Sequence, residues 1–247
     1  MSVTKPVRVV NRLIEGLPQK ERYRVLERCE PVDLVLGDIL CQPGEPFQHV
    51  YFPLTGFIST VGRVTGHQPL EMRLIGNEGM LGVTLMLGVD VAPLRAVVQG
   101  PGAALRLTAS QFRGELRECP SLHRTLNLYL YVLLAQLSQT AACNRFHEVR
   151  RRLARSLLMM HDRAHAEQFH LTHELLADML GVRRSAVTIA AGTLQRRKLI
   201  DYTRSEIRIL NRKGLEQRPA SVTARRSRIT HRYSLSVINP KRCGRLH

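Results

Sequence analysis

The sharpest alternation of apolar and polar positions lies in the stretch LTHELLADMLGVRRSAVTIAAGTLQRR, which begins at Leu171. Leu175, Leu176, Met179 and Leu180 recur on one side of a short helix, and after Gly181 the residues Val187, Ala190, Ala191 and Leu194 recur on one side of a second. Thr172 can cap the first helix by accepting from a free N–H of its first turn, and Glu174 places negative charge at the positive end of the dipole. Gly181 stands where the first helix must stop in a left-handed residue, with Val182 as a plug between the two. The outer side of the second helix carries Arg184, Ser185, Thr188, Ile189, Gln195 and Arg196. Leu199 and Ile200 then close the unit, and Tyr202 to Leu210 predicts a hairpin turning at Arg204 and Ser205. The pattern predicts helix, turn, helix and basic wing, and a helix with small inner residues and a basic outer face suits the DNA major groove.

Upstream the texture differs. Val9 to Cys29 is helical in pattern around a break at Leu17-Pro18. From Glu30 to Leu107, short apolar runs alternate with turn residues at the spacing of a compact β domain, predicting strands at 32–35, 39–41, 49–53, 57–64, 71–75, 96–99 and 103–107. Gly76 to Val97 interrupts them with a glycine-rich loop in which Gly82 to Leu87 can begin a short helix and an anion could meet free backbone N–H groups. A helix capped by Ser110 follows, then a long one from Pro120. Its Leu122, Leu126, Leu130, Leu133 and Leu137, continued by Thr140 and Asn144, repeat like a coiled-coil seam. That face could lie on the β domain; a seam between two copies is favoured, because a two-fold protein places two reading helices one DNA turn apart, about 34 Å. A linker is expected near Cys143 to Phe146, before an amphipathic basic helix from Glu148.

Composition sharpens this picture. The 247 residues, 44% of them apolar, suffice for two small cores, and 37 Lys and Arg against 20 Asp and Glu leave a formal +17 that draws polyanions. Nucleic acid is the first candidate partner and an anionic membrane surface the second. No run approaches the ~18 apolar residues of a spanning helix, and MSVTKPVRVV lacks a signal-peptide core, so a cytoplasmic protein with no membrane partner is expected. From Arg212 onward, ten basic residues face Glu216 alone, and poor periodicity there predicts a basic arm that adds phosphate contacts without sequence information.

The five cysteines show no C-x-x-C pair, so buried free thiols are expected rather than a zinc ribbon or an iron–sulfur cluster. His161, His165, His170 and His173 could be weighed as zinc ligands, the first two on one helix face. The favoured reading is polar histidines flanking the DNA-binding unit, with no metal or cofactor. Neither a nucleophile elbow nor a phosphate-binding GK[ST] loop occurs, and without a convergent acid, base and nucleophile no enzyme is expected.

The series Gly37-Asp38, Gly44-Glu45, Tyr51-Phe52, Gly56, the loop Gly76-Asn77-Glu78-Gly79 with Gly82, and above all Leu175, Ala177, Leu180, Gly181, Val182, Arg184, Val187, Leu194, Leu199 and Ile200 resemble the Crp/Fnr family of bacterial transcription regulators. The likeness covers about residues 13–210. It implies an α+β fold: a cyclic-nucleotide-binding-like β roll as sensor over 1–119, a long dimerisation helix over 120–145, a winged helix-turn-helix over 146–214 and the basic tail over 215–247. It further implies a homodimer on a palindromic site of double-stranded DNA, with RNA polymerase a candidate partner and an effector of unknown identity. In cyclic-nucleotide-binding members a Glu follows the loop Gly and an Arg precedes a Ser-Ala pair; the matching positions here are Val83 and Leu94, with Arg95 one residue on. Cyclic-nucleotide sensing is therefore not expected, and any roll ligand is assigned to Gly82, Val83, Arg95 and Ala96. The N-terminal cysteine cluster of the oxygen-sensing branch is also missing from this sequence. By the same resemblance Arg184 holds the guanine-reading position, while Ser185 and Ile189 replace a Glu and a second Arg, so the half-site read should differ. Thr172, Thr188, Arg183, Arg196 and Arg197 complete the expected DNA-contacting set. A reading from another class is a ligand-sensing module that regulates a protein partner through its basic helices.

Overall fold

The computed structural model describes residues 10–63, 70–164 and 168–216. Two short helices, α1 (Arg12–Glu15) and α2 (Gln19–Arg28), precede seven strands: β1 (Glu30–Leu34), β2 (Ile39–Cys41), β3 (His49–Pro53), β4 (Phe57–Gly62), β5 (Leu70–Ile75), β6 (Arg95–Gly100) and β7 (Gly102–Thr108). They form two antiparallel sheets, ordered β1-β7-β3 and β2-β6-β4-β5. Val50, Phe52, Ile58, Ile75, Val98 and Leu107 fill the space between the sheets, each at most 1% exposed. The strands match the predicted ones within two residues at each end, apart from β4, whose predicted end at Val64 lies outside the described residues.

The glycine-rich loop closes one end of this roll. A 3₁₀ turn, Val83–Leu87, follows Gly82, and Leu81 bridges to Tyr51 on β3. The loop is pinned from two sides. The buried Asn11 caps α1 and donates to the carbonyls of Pro53 and Gly79 at 3.0 and 2.9 Å, while the Tyr129 hydroxyl accepts from the Met80 N–H at 3.0 Å. Gly79 leaves room for that hydroxyl, which a Cβ there would overlap.

Two boundaries differ from expectation. Helix α3 (Ala109–Glu118) starts at Thr108 rather than Ser110, because Thr108 and Gln111 form a capping box: the Gln111 N–H donates to Thr108 Oγ1 and its side-chain oxygen accepts from the Thr108 N–H. Helix α4 (Pro120–Phe146) runs through the expected linker and breaks at His147 and Glu148 instead, since Cys143, Asn144 and Arg145 continue its hydrogen bonding as far as the His147 N–H.

The predicted seam on α4 requires a correction. Leu122, Leu126 and Leu133 are buried in the roll's own core, with Leu130 packed against it. Leu137, Thr140 and Asn144 line a cavity facing the C-terminal half. Most of the exposed apolar surface of α4 lies instead at Leu128, Tyr131, Leu134 and Phe146, with Leu137 the one predicted seam leucine that is also exposed. Both stripes obey helical spacing, and the heavier one is claimed by the nearer apolar surface.

After α4 come α5 (Val149–Ala164), β8 (Gln168–His170), α6 (His173–Leu180), α7 (Arg184–Arg196), β9 (Ile200–Thr203), β10 (Glu206–Ile209) and α8 (Arg212–Glu216). A second core gathers Leu153, Leu157, Met160, Leu176, Val187, Leu194 and Ile207, and two residues of the roll, Phe57 and Leu74, belong to it. The halves therefore share apolar packing. β8 and α8 were not anticipated: a three-residue strand shows no alternation, and α8 is held by Arg212, which pairs with Glu216 on its own helix and with Asp162 on α5. Arg212 and Lys213 thus belong to the folded unit rather than to the basic arm, and the arm's remaining basic residues, from Arg218 on, lie outside the described residues.

Candidate nucleic-acid interface

The helix pair forms by the local rules the sequence shows. Thr172 Oγ1 accepts from the Leu175 N–H at 3.1 Å and starts α6. Gly181 ends it at φ 58° and ψ 46°, with its own N–H and that of Val182 returning to the last turn. A side chain at Gly181 would also press on Leu70 of β5, 2.9 Å from the added Cβ. The turn of the helix pair therefore rests on the roll. On α7, Val187, Ala190, Ala191 and Leu194 are at most 4% exposed, and Val187 and Leu194 each contribute about 1.5–3 kcal/mol by leaving water. That burial fixes which side of α7 faces out.

The outward side presents Arg183, Arg184, Ser185, Thr188, Ile189, Arg196 and Arg197, all exposed. Arg183 is the α7 N-cap residue and Arg197 its C-cap residue; the Arg196 guanidinium donates to Thr193 Oγ1 at 3.2 Å. Ile189 is 70% exposed, which nothing in the chain itself requires. Thr172 sits behind this face, half-buried at the start of α6. The wing β9–β10 turns through Arg204 and Ser205, whose φ values of 51° and 68° make the tight mirror-type turn that matches strand twist, and β8 adds a third strand to it.

Two contacts at this face escaped the sequence. Arg184 Nη1 pairs with Glu174 Oε1 at 2.9 Å, both exposed, so the expected base-reading side chain is held by a carboxylate of the preceding helix. His173 ties three elements together: its ring lies 4.7 Å from that of Tyr202 on β9, and Nδ1 is 3.0 Å from Thr188 Oγ1 on α7. Burial, then the nearby Arg184 charge, push the His173 pKa down, so the ring is neutral at physiological pH. Tyr202 in turn donates to the Leu171 carbonyl at 3.0 Å. A histidine one residue after a cap gives no sequence signal for such a role.

The remaining assignments are placed as follows. Gly82 is left-handed at the head of the 3₁₀ turn, Val83 and Ala96 are buried in the roll core, and Arg95 is half-buried at the start of β6. None of these four lines the cavity between the two halves. His161 lies beside Asp162 and Arg212, His173 is in the interface just described, and His165 lies outside the described residues. Among the described residues no group of His, Cys, Asp and Glu is placed to hold a metal, and no helix is long and apolar enough to cross a membrane. Cys29, Cys41, Cys119 and Cys143 are free thiols.

Residues 151–218 match the family model of the Crp-like helix-turn-helix domain. No curated protein matches the chain at the sequence level. Among solved structures, the chain is similar to FixK2 from Bradyrhizobium japonicum (16% identity, 79% of this chain and 99% of that one, TM-score 0.67). It is also similar to the c-di-GMP responsive global regulator CLP from Xanthomonas campestris (15%, 78% and 99%, 0.64). A transcriptional regulator of the Crp/Fnr family from Thermus thermophilus shows the same likeness (23%, 76% and 96%, 0.57).

Proposed function

From a chain that carries a Crp-like helix-turn-helix domain within the fold of the Crp/Fnr transcription regulators, we infer a homodimeric regulator that reads a palindromic site through α7. The observation that carries this reading is the division of α7 into a buried small-residue face and an exposed face of Arg183, Arg184, Ser185, Thr188 and Ile189. An α-helix fits the major groove, and a guanidinium can grip O6 and N7 of a guanine there. Arg184 is assigned that contact. Arg183, Arg196 and Arg197 flank it as phosphate ligands, and Ser185 and Ile189 set the rest of the half-site, Ile189 through apolar contact such as a thymine methyl. The N-terminal roll is the sensor, acting through α4 on the pairing of two copies.

Gel shifts with genomic fragments over a salt series test the reading. A sequence-dependent complex that persists at moderate salt is expected; its absence would leave the basic helices as a docking surface for a protein partner. Arg184→Ala should cost about 1–3 kcal/mol on the specific site and relax preference at one base pair per half-site, whereas Arg197→Ala should weaken binding to all sequences alike. Equal effects of the two would refute the assignment of Arg184.

A further inference from the structure

A cavity of about 210 Å³ lies where the two halves meet, walled by β5 and α4 on one side and by α5 and α6 on the other. Its lining carries several guanidiniums and a single carboxylate, Glu71. Arg163 has its own counter-ion, Glu78, at 2.7 Å. Arg73 and Arg152 have none among the described residues. Arg73 Nη2 donates to the Met80 carbonyl and to the Tyr129 hydroxyl, both at 2.9 Å. Arg152 Nη2 donates to the Leu180 carbonyl. Each keeps a buried Nε–H that meets no acceptor among the described residues. Glu71 is engaged elsewhere, accepting from Ser59 Oγ at 2.8 Å and acted on by Arg163.

Two guanidiniums partly withdrawn from water, held by carbonyl and hydroxyl acceptors and without carboxylates of their own, leave a net positive charge that an anion entering the cavity would neutralise. They come from different halves of the molecule and line one cavity, and Met159, Met179 and Leu180 give that cavity an apolar wall. We propose that this cavity binds a small organic phosphate monoester, its dianionic head between Arg73 and Arg152 and its apolar body against Met159, Met179 and Leu180. A phosphate suits the pair better than a carboxylate because two guanidinium forks match a doubly charged head with several acceptor oxygens. The ligand touches both halves at once, and through Arg73 it reaches Tyr129 on α4 and the glycine-rich loop. The site is separate from Gly82, Val83, Arg95 and Ala96 and from the face of α7.

Isothermal titration of the full chain with phenyl phosphate, in the absence of DNA, tests the site independently of the DNA-binding reading. One saturable site per chain is expected, with benzoate at least tenfold weaker. Ser156→Phe fills the cavity without changing charge and should abolish binding. If a thermal melt shows that variant unfolded, Arg152→Gln is read against Arg113→Gln, which removes a surface cation paired with Asp90, neither of which lines the cavity. A loss of tenfold or more in Arg152→Gln and less than twofold in Arg113→Gln supports the site. Absence of saturable binding, benzoate as strong as phenyl phosphate, binding that survives Ser156→Phe, or equal losses in the two arginine variants would each overturn it.

Discussion

Arg184 shows how far a single residue can be read from sequence. Its place on the outer face of α7 follows from the spacing of Val187, Ala190, Ala191 and Leu194, and the structure puts it there. Its partner does not follow from spacing. Glu174 stands ten positions earlier on another helix and meets Arg184 only because the Gly181 turn brings the start of α6 beside the start of α7. The pair is exposed, so it stabilises the fold by at most about 1 kcal/mol, and under the proposed reading it opens before Arg184 grips a base. Glu174 also adds a negative charge to the surface that should meet phosphates. Glu174→Gln should therefore raise affinity for DNA several-fold, at a stability cost of about 0.3–1 kcal/mol from the lost charge at the head of α6. Fluorescence anisotropy with a labelled duplex checks this; unchanged or weaker binding would mean that the ion pair positions Arg184 rather than restraining it.

Among the elements, those marked by their own periodicity or by turn residues at their ends were legible, down to the three-residue β2, and those held only by distant contacts were not. The β4 and β5 strands and the helix pair carry enough alternation to declare themselves, whereas β8 and α8, of three and five residues, are held by the wing and by Arg212 rather than by a pattern of their own. Helix α4 was legible as a helix but not in its orientation. It has two apolar stripes, and spacing alone does not tell which one meets the roll. Leu122, Leu126 and Leu133 take the roll, and Leu128 and Leu134 remain exposed on the other side of the helix. If two copies pair along that stripe, Leu134→Glu places opposed carboxylates in the seam and should convert the dimer to monomer in light scattering, leaving the melting temperature of the monomer fold within a few degrees. It should also lower affinity for a palindrome far more than for a single half-site. A variant as dimeric as the native chain would move the seam elsewhere.

The largest scale is the least legible, because the contact between the two halves has no signature in either. Leu74 and Phe57 of the roll join the second core, Leu70 supports the Gly181 turn, and Arg163 of α5 reaches Glu78 in the glycine-rich loop. Each joins residues far apart in the chain and was invisible until the chain folded. Glu71 lies at this junction. Burial, more than Ser59 or Arg163, sets its pKa, raising it from an ordinary 4.5 to about 7. The folded state therefore holds this proton more tightly than the unfolded state. The contribution of Glu71 to stability is largest below about pH 4.5 and is lost as pH rises through 7, where the carboxylate must ionise inside the junction. Glu71→Gln keeps an acceptor for Ser59 and removes the ionisation, so the variant should gain on the native chain as pH rises from 5 to 8. At about 2–4 °C per kcal/mol for a chain of this size, the gain should appear as a melting-temperature difference that widens by a few degrees over that range. Subtracting the native curve cancels the histidines, because both proteins carry them. A difference that stays constant from pH 5 to 8 would mean that Glu71 ionises as freely in the folded chain as in the unfolded one, and that the junction is open to water.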